Sequence, residues 1–126
     1  MLRGWGDGRQ TRSLIFIDDC VQGIQINANY DALSAAPISL GSRELDSIDE
    51  LLTKVERAAG LNKRLLRRYD LEAPKGVAGR NSDNSFIKQV LDWEPTTALD
   101  DGPSATYRWI SEQYHRRKAG KRVGVG

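Results

Sequence analysis

Apolar residues form two kinds of pattern along the chain. Some lie in short runs that include β-branched residues, and others recur at helical spacing. The runs at residues 13–17, 37–41 and 65–69 predict strands, the first of them buried. The stripes predict four helices: one after Asp18 or Asp19 to about Ala28, one from Ser47 to Ala59, one after Ser82 or Asp83 to Leu91, and one that Asp101 caps. Strands that alternate with helices indicate the α/β class.

Local chemistry marks the ends of two of these helices. Ser47 and Glu50 have the spacing of a capping box, in which the hydroxyl and the carboxylate each satisfy a backbone N–H. Gly60 ends that helix. Trp93 is expected to pack beneath the next helix, and Pro95 prevents that helix from continuing.

Composition limits the class of protein. The chain has 126 residues, of which 39% are hydrophobic and 29% charged, so it is one domain or a piece of one. Cys20 is the single cysteine, which excludes an internal disulfide framework and favours a reducing, cytoplasmic setting. No apolar stretch approaches ~20 residues, so no membrane span is expected. Residues 1–114 carry the predicted elements, and residues 115–126, mostly basic or glycine, predict a flexible tail.

Two arginines in glycine-rich surroundings are the best candidates for a binding site. Arg12 follows a glycine turn at residues 6–8, and Arg80 follows Gly79 on a loop just before a predicted helix. A guanidinium presents a rigid fork of donors that matches phosphate oxygens. The alternative is that each arginine pairs with a surface carboxylate. Gln10, beside Arg12, can hydrogen-bond a sugar or a base, or can serve the turn.

Other candidate motifs have simpler explanations. Tyr114 and Lys118 have the spacing of a dehydrogenase catalytic pair, but they lie in the basic tail, and chance explains them better. Cys20 is interpreted as a packing residue. His115 is the single histidine, so no metal site and no catalytic triad is expected. With a net charge of +2 and acids interspersed, the basic clusters at residues 63–68 and in the tail favour a solvated surface over nucleic acid.

Over residues 2–113 the chain resembles the extended short-chain dehydrogenase/reductases that act on nucleotide sugars. Within them it looks most like the C-terminal part of the GDP-mannose 3,5-epimerase family. The residues that carry the resemblance are Trp5-Gly6-Asp7-Gly8, Gln10-Thr11-Arg12-Ser13, Phe16-Ile17-Asp18, Cys20-Val21 with Gly23, Gly41-Ser42, Gly76-Val77, Gly79-Arg80-Asn81-Ser82-Asp83-Asn84, Ile87-Lys88, Leu91, Trp93, Pro95, Thr106-Tyr107 and Trp109-Ile110.

The resemblance implies an α/β fold that is the C-terminal, substrate-binding portion of such an enzyme and lacks most of the Rossmann sheet. It implies that Gln10, Thr11, Arg12 and Arg80 contact the nucleotide sugar, GDP-mannose above others. The family's NAD loop and catalytic residues lie before the matched region, so no catalytic, NAD-binding or metal-binding residue is assigned here. The segment alone is expected to bind no NAD and to be inactive. Its implied partners are an N-terminal NAD-binding portion and a second copy, with no membrane and no nucleic acid.

One departure and two alternatives remain open. Asp92 stands where the family usually has glycine after a helix, and aspartate tolerates the left-handed conformation better than most residues. The chain could instead be a non-catalytic module that binds a nucleotide or another polyanion. It could also be a fragment of a related nucleotide-sugar 4-epimerase or dehydratase.

Overall fold

A computed structural model describes residues 1–31 and 37–120 of the chain. The order of elements confirms the α/β class. The elements are β1 (Leu2–Trp5), β2 (Thr11–Ser13), α1 (Ile17–Ala28), β3 (Leu45–Ser47), α2 (Ile48–Ala58), β4 (Arg67–Asp70), β5 (Gly79–Arg80), α3 (Ser85–Leu91) and α4 (Asp101–Lys118).

The strands form two small sheets. β1 pairs with β4 in parallel, and Arg3 lies opposite Arg68 in that pair. β2 is the central strand of the other sheet, antiparallel to β3 on one side and parallel to β5 on the other. Because β2 is paired along both edges, its backbone is the most constrained of the described strands.

A buried ion cluster joins α2 to β4. Arg67 on β4 is only 5% exposed in its side chain, and its Nη2 lies 2.8 Å from Glu56 Oε2, whose side chain is 6% exposed. The other terminal nitrogen lies 3.0 Å from Asp49 Oδ1. Tyr69 also donates its hydroxyl hydrogen to Asp49. Breaking such a buried pair costs ~3–5 kcal/mol because it leaves an uncompensated charge, so this cluster fixes where α2 sits.

The same cluster holds the turn that leads into β2. Asp49 N donates to Gly8 O at 3.1 Å, and Ile48 N donates to Gln10 O at 3.1 Å. Gly8 has a φ of 74°, which favours glycine, and a Cβ there would lie 2.9 Å from Asp49 Oδ1. The start of α2 therefore sets the position of the turn at residues 6–8.

Several expected helix ends are confirmed. The capping box is present, with Glu50 N donating to Ser47 Oγ at 3.2 Å and Ser47 N donating to Glu50 Oε2 at 2.8 Å. Asp92 has φ 47° and ψ 38°, the left-handed conformation predicted for the residue after α3. Trp93 is buried, at 8% exposure, but its described contacts are with α1, where its Nε1 donates to Gln22 Oε1 at 3.2 Å. A Cβ at Gly23 of α1 would lie 2.9 Å from its ring.

The predicted caps of α1 and α4 are wrong. α1 begins at Ile17, and neither Asp18 nor Asp19 caps it, because both lie in its first turn. Asp19 is instead buried and accepts a hydrogen bond from Thr97 N at 2.8 Å, so its carboxylate serves a contact distant in sequence. α4 begins at Asp101 itself, and no side chain caps it.

Two predicted strands are also wrong. Residues 14–16 follow β2 without forming a ladder, and α1 already starts at Ile17. The apolar side chains of this segment line an open groove of about 450 Å³ together with α2 and α4. Residues 37–40 form no strand either. The third predicted strand is present, displaced to Arg67–Asp70.

The boundary predicted at residue 115 falls inside α4, which continues through Lys118. Residues 121–126 lie outside the described part of the chain.

Among the helices of residues 1–31 and 37–120, none has the length and apolar character that a membrane crossing requires.

Asp49 makes the stability of this fold depend on pH. Burial raises the pKa of Asp49, but the hydrogen bond from Tyr69 and the charge of Arg67 outweigh burial and hold that pKa below its ordinary value. A carboxyl group whose pKa is lower in the folded chain stabilises the fold above the unfolded pKa of ~3.9, and loses that effect as the pH falls through the folded pKa. We therefore expect Asp49→Asn to lower the free energy of unfolding at pH 7, and the difference from wild type to shrink below about pH 4.

Urea denaturation followed by circular dichroism at pH 7 and pH 3 measures this difference. Asp31→Asn is the matched control, since Asp31 is exposed and forms no ion pair with a described residue. A deficit in Asp49→Asn that stays constant across the pH range would contradict the role assigned to Asp49.

Candidate functional site

Arg12 and Arg80 lie directly opposite each other on neighbouring strands. In the parallel pair of β2 and β5, Thr11 is the partner of Gly79 and Arg12 is the partner of Arg80. Thr11 N donates to Ala78 O at 2.9 Å just before this pair begins. Since adjacent strands are ~4.8 Å apart and residues in register share a face of the sheet, the two guanidinium groups project from one face.

The prediction that these arginines sit on loops is wrong. Arg12 is the middle residue of β2, and Arg80 is the second of the two residues of β5. Both strands are too short to give a periodic signal, and the glycines beside them suggested turns. Gly79 allows the close approach of the strands, since a Cβ at this position would lie 2.8 Å from Thr11 Oγ1.

The charges of this arginine pair are not offset by acidic side chains. Among residues 1–31 and 37–120, neither guanidinium forms an ion pair with a carboxylate. Asp46 is the partner of Arg12 on β3, but its carboxylate lies 3.1 Å from Lys54 Nζ. The alternative that each arginine pairs with a surface carboxylate therefore finds no support among the described residues. Like charges directly opposite on a sheet repel, so this face favours an anionic ligand.

Arg12 is held by the backbone. Its Nη1 donates to Thr11 O at 2.7 Å, and its side chain is half-buried. A Cβ at Gly76 would lie 3.7 Å from Arg12 Nη2, so the loop before β5 passes against the guanidinium. Arg80 is exposed. The pair thus combines one oriented arginine with one that is open to solvent.

The two other predicted site residues, Thr11 and Gln10, are not aligned with the arginines. Thr11 precedes Arg12 on β2, so its side chain points to the opposite face, toward Gly79. Gln10 Nε2 donates to Trp5 O at 3.2 Å, while its Oε1 is buried and has no donor among the described residues. The structure therefore brings Arg12 and Arg80 together, buries one acceptor of Gln10 without a donor among the described residues, and turns Thr11 away.

The residues after Arg80 support the site. Asn84 is 2% exposed, donates its amide hydrogen to Gly41 O and accepts from Ser82 Oγ at 2.8 Å. A Cβ at Gly41 would lie 2.4 Å from Ser82 Cβ, so this backbone passes tightly against the strand end. Ser13 Oγ donates a hydrogen bond to the carbonyl oxygen of Ser42, the residue after Gly41. These contacts, which spacing along the chain could not predict, anchor β2 and β5 to residues 41–42.

The prediction that Ser82 or Asp83 caps α3 is wrong, because Asn84 is the residue at the cap position and no side chain caps the helix. Asp83 lies just before Asn84, and the Oδ1 of Asp83 accepts a hydrogen bond from Ser85 N at 2.9 Å. Hydrogen bonds from Ser85 lower the pKa of Asp83, so this carboxylate stays ionised and committed to the helix start.

The remaining candidates show no chemistry near the arginine face. Tyr114 and Lys118 lie on α4, which contributes to neither sheet, and the ring of Tyr114 meets His115 edge-on at 5.7 Å between centroids. The described residues contain no group of three or more histidine, cysteine or acidic side chains placed to hold a metal ion.

Comparison with known proteins identifies similar chains. No protein-family model matches this one. It is 43% identical over 114 residues to GDP-mannose 3,5-epimerase 1 of Oryza sativa subsp. indica, covering 90% of this chain and 29% of that protein. It is 41% identical over 115 residues to GDP-mannose 3,5-epimerase of Arabidopsis thaliana, covering 91% of this chain and 29% of that protein.

A solved structure supports the same relationship. UDP-glucuronic acid 4-epimerase from Bacillus cereus, in complex with UDP-glucuronic acid and NAD, superposes with a TM-score of 0.80 and 28% identity, covering 89% of this chain and 35% of that chain. This chain thus spans about a third of the length of its relatives. It resembles the GDP-mannose 3,5-epimerases in sequence, and its fold is that of the C-terminal portion of extended short-chain dehydrogenase/reductase epimerases.

Repulsion between Arg12 and Arg80 should destabilise the chain when no ligand is bound. We expect Arg80→Gln to raise the free energy of unfolding at low salt by ~0.2–1 kcal/mol, the range for a pair of residues directly opposite on a sheet. The gain should shrink at about 1 M salt, where screening is strong. Urea denaturation at the two salt concentrations measures both effects.

Arg68→Gln is the matched control. Arg68 also lies opposite an arginine on a parallel strand, but that partner, Arg3, is paired with Asp70 at 2.9 Å. Arg68→Gln should therefore give a smaller gain. Equal gains in the two variants, or a loss in Arg80→Gln, would contradict the assignment of repulsion to the pair of Arg12 and Arg80.

Proposed function

We propose that this chain is the substrate-binding portion of an NAD-dependent nucleotide-sugar epimerase, and that its ligand is GDP-mannose. The observation that carries the proposal is the register of Arg12 and Arg80, which are direct partners on neighbouring strands and have no carboxylate partner among the described residues. The similarity to the GDP-mannose 3,5-epimerases favours a guanine nucleotide and mannose over other nucleotide sugars.

The arginine face suits a diphosphate. Each guanidinium can hold one phosphoryl group through a pair of parallel hydrogen bonds, and bonds to charged groups of this kind contribute ~1.5–3 kcal/mol each. Thr11 contributes its carbonyl oxygen, which accepts a hydrogen bond from Arg12 Nη1 at 2.7 Å and so orients the guanidinium. Gln10 Oε1 is buried without a donor among the described residues, so a ligand hydroxyl can reach it only if the Gln10 side chain turns outward.

The reaction needs parts that we do not assign to this chain. In an epimerase of this kind NAD takes a hydride from the sugar and returns it after the epimerisation. We assign no described residue to NAD or to catalysis, so the chain by itself should bind the sugar nucleotide and leave it unchanged. The single cysteine favours a reducing, cytoplasmic setting for such an enzyme.

An NAD-binding portion has a suitable surface on which to pack. The groove between the segment after β2, α2 and α4 is lined by apolar side chains such as Leu14, Val55 and Ile110. Next to it, α1 exposes Ile17, Val21 and Ile24 at helical spacing. Apolar patches of this kind mark interaction sites, and we propose that the N-terminal, NAD-binding portion of the enzyme covers this one.

Calorimetric titration of the purified chain tests the ligand. We expect GDP-mannose to bind more tightly than UDP-glucose, and Arg80→Ala to weaken the binding of GDP-mannose about tenfold or more, because one charge-assisted contact is lost. Arg68→Ala is the matched control and should change the affinity less than twofold.

Salt separates this function from general polyanion binding. The affinity of a module that binds through many lysines and arginines falls steeply with ionic strength. Titration at two salt concentrations should show a shallow dependence and a preference for guanine. A steep dependence without base preference, or equal affinities in Arg80→Ala and wild type, would overturn the proposal.

The packing surface has its own test. The N-terminal portion of the Arabidopsis thaliana enzyme, expressed separately, should form a complex with this chain on size exclusion. Ile110→Glu places a charge in the groove and should weaken that complex about tenfold or more, because burying an unpaired carboxylate is costly. Ala105→Glu, an exposed position on the same helix, is the control.

Two results would contradict the packing proposal. One is a stable, monomeric chain that does not associate with the N-terminal portion. The other is self-association that Ile110→Glu abolishes, which would assign the groove to a dimer of this chain instead.

A further inference from the structure

Lys75 lies in the loop that connects β4 to β5, close to the arginine face. The end of this loop is fixed on β2, because Thr11 N donates to Ala78 O at 2.9 Å. The next residue, Gly76, passes against Arg12, since a Cβ there would lie 3.7 Å from Nη2. Lys75 is therefore one residue along the chain from a direct neighbour of Arg12.

The side chain of Lys75 runs along the turn at residues 6–8. A Cβ at Gly6 would lie 2.9 Å from Lys75 Cγ and 3.5 Å from Gln10 Nε2. The lysine stem and the Gln10 amide thus meet on the same side of this turn. The glycine leaves the space that the lysine stem occupies.

The ammonium group of Lys75 is only loosely paired. Its Nζ lies 3.6 Å from Asp7 Oδ2, beyond hydrogen-bonding distance, and the side chains are 45% and 42% exposed. Exposed pairs of this kind contribute little to stability. Asp7 also has another partner, since Arg9 N donates to its Oδ1 at 3.1 Å, and this bond is the main cause of the lowered pKa of Asp7.

We propose that Lys75 is a third cation of the arginine face, and that it gives the site its preference for two linked phosphoryl groups over one. This inference rests on the proposed function, because it assumes that Arg12 and Arg80 receive the phosphates. The ammonium group exchanges the Asp7 oxygen for a phosphate oxygen, and the flexible four-carbon stem allows that movement. Asp7 keeps its bond to Arg9 N, so the exchange leaves no buried group without a partner.

Titration with pyrophosphate and with orthophosphate at low salt tests this role without a nucleotide. Lys75→Met should weaken pyrophosphate binding about fivefold, the change expected for ~1 kcal/mol. Its effect on orthophosphate should be less than twofold, because the arginines can hold a single phosphoryl group without the ammonium group. Lys75→Arg should restore the preference for pyrophosphate.

Two further variants sharpen the test. Lys63→Met is the matched control, an exposed lysine on another loop, and should change neither affinity. Asp7→Asn keeps the acceptor for Arg9 N and removes the competing charge, so it should strengthen pyrophosphate binding about twofold or more. Equal losses for both anions in Lys75→Met, no loss at all, or no pyrophosphate binding by wild type would overturn the inference.

The results for GDP-mannose and pyrophosphate separate this inference from the proposed function. Selective binding of GDP-mannose with an unchanged anion preference in Lys75→Met would remove the role of Lys75 and leave the function standing. A Lys75-dependent preference for pyrophosphate without any guanine selectivity would support the third cation and overturn the proposed ligand.

Discussion

The arrangement of α2, β4 and the entry to β2 depends on the ion pairs of the Arg67 guanidinium. This guanidinium is almost fully buried and ties β4 to α2 through Glu56 and Asp49. Asp49 in turn donates its backbone N–H to Gly8, at the turn that leads into β2. A buried charge requires its partners, so the position of α2 and the entry to β2 are fixed together. The sheet that carries the candidate site inherits its geometry from this cluster.

The charges at the candidate site are unpaired within the described part of the chain, whereas those around Arg67 are paired. Around Arg67, cations and carboxylates alternate, and each charge has a partner. On the face of β2 and β5, Arg12 and Arg80 are adjacent without one among the described residues. A fold that stores like-charge repulsion at one place gives an anion a gain in free energy on binding that a neutralised surface does not offer. If the proposed ligand binds here, stability and affinity are coupled at these two positions.

The apolar surface leads to the same function from another direction. Only Ile87, Trp93 and Leu99 are buried apolar residues in the described part of the chain, whereas α1 and α4 expose many large ones. A core this small stabilises little by itself, and the groove offers apolar area that packing would remove from water. An uncovered apolar groove of this kind is consistent with the proposed packing of this chain against a second portion.

The sequence by itself determined the local features of this protein. The capping box at Ser47 and Glu50 and the left-handed Asp92 follow from interactions within a few residues, so their patterns suffice to predict them. The two arginines were also identifiable as candidates, because each follows one or more glycines and matches phosphate oxygens in its donors. Only the tertiary structure decided that they stand in register, that Thr11 faces away from them, and that residues 14–16 line a groove rather than a strand. Pairing of strands two or three residues long depends on contacts distant in sequence, such as those of Asn84 with Gly41 and of Arg67 with Glu56, and leaves no periodic signal along the chain.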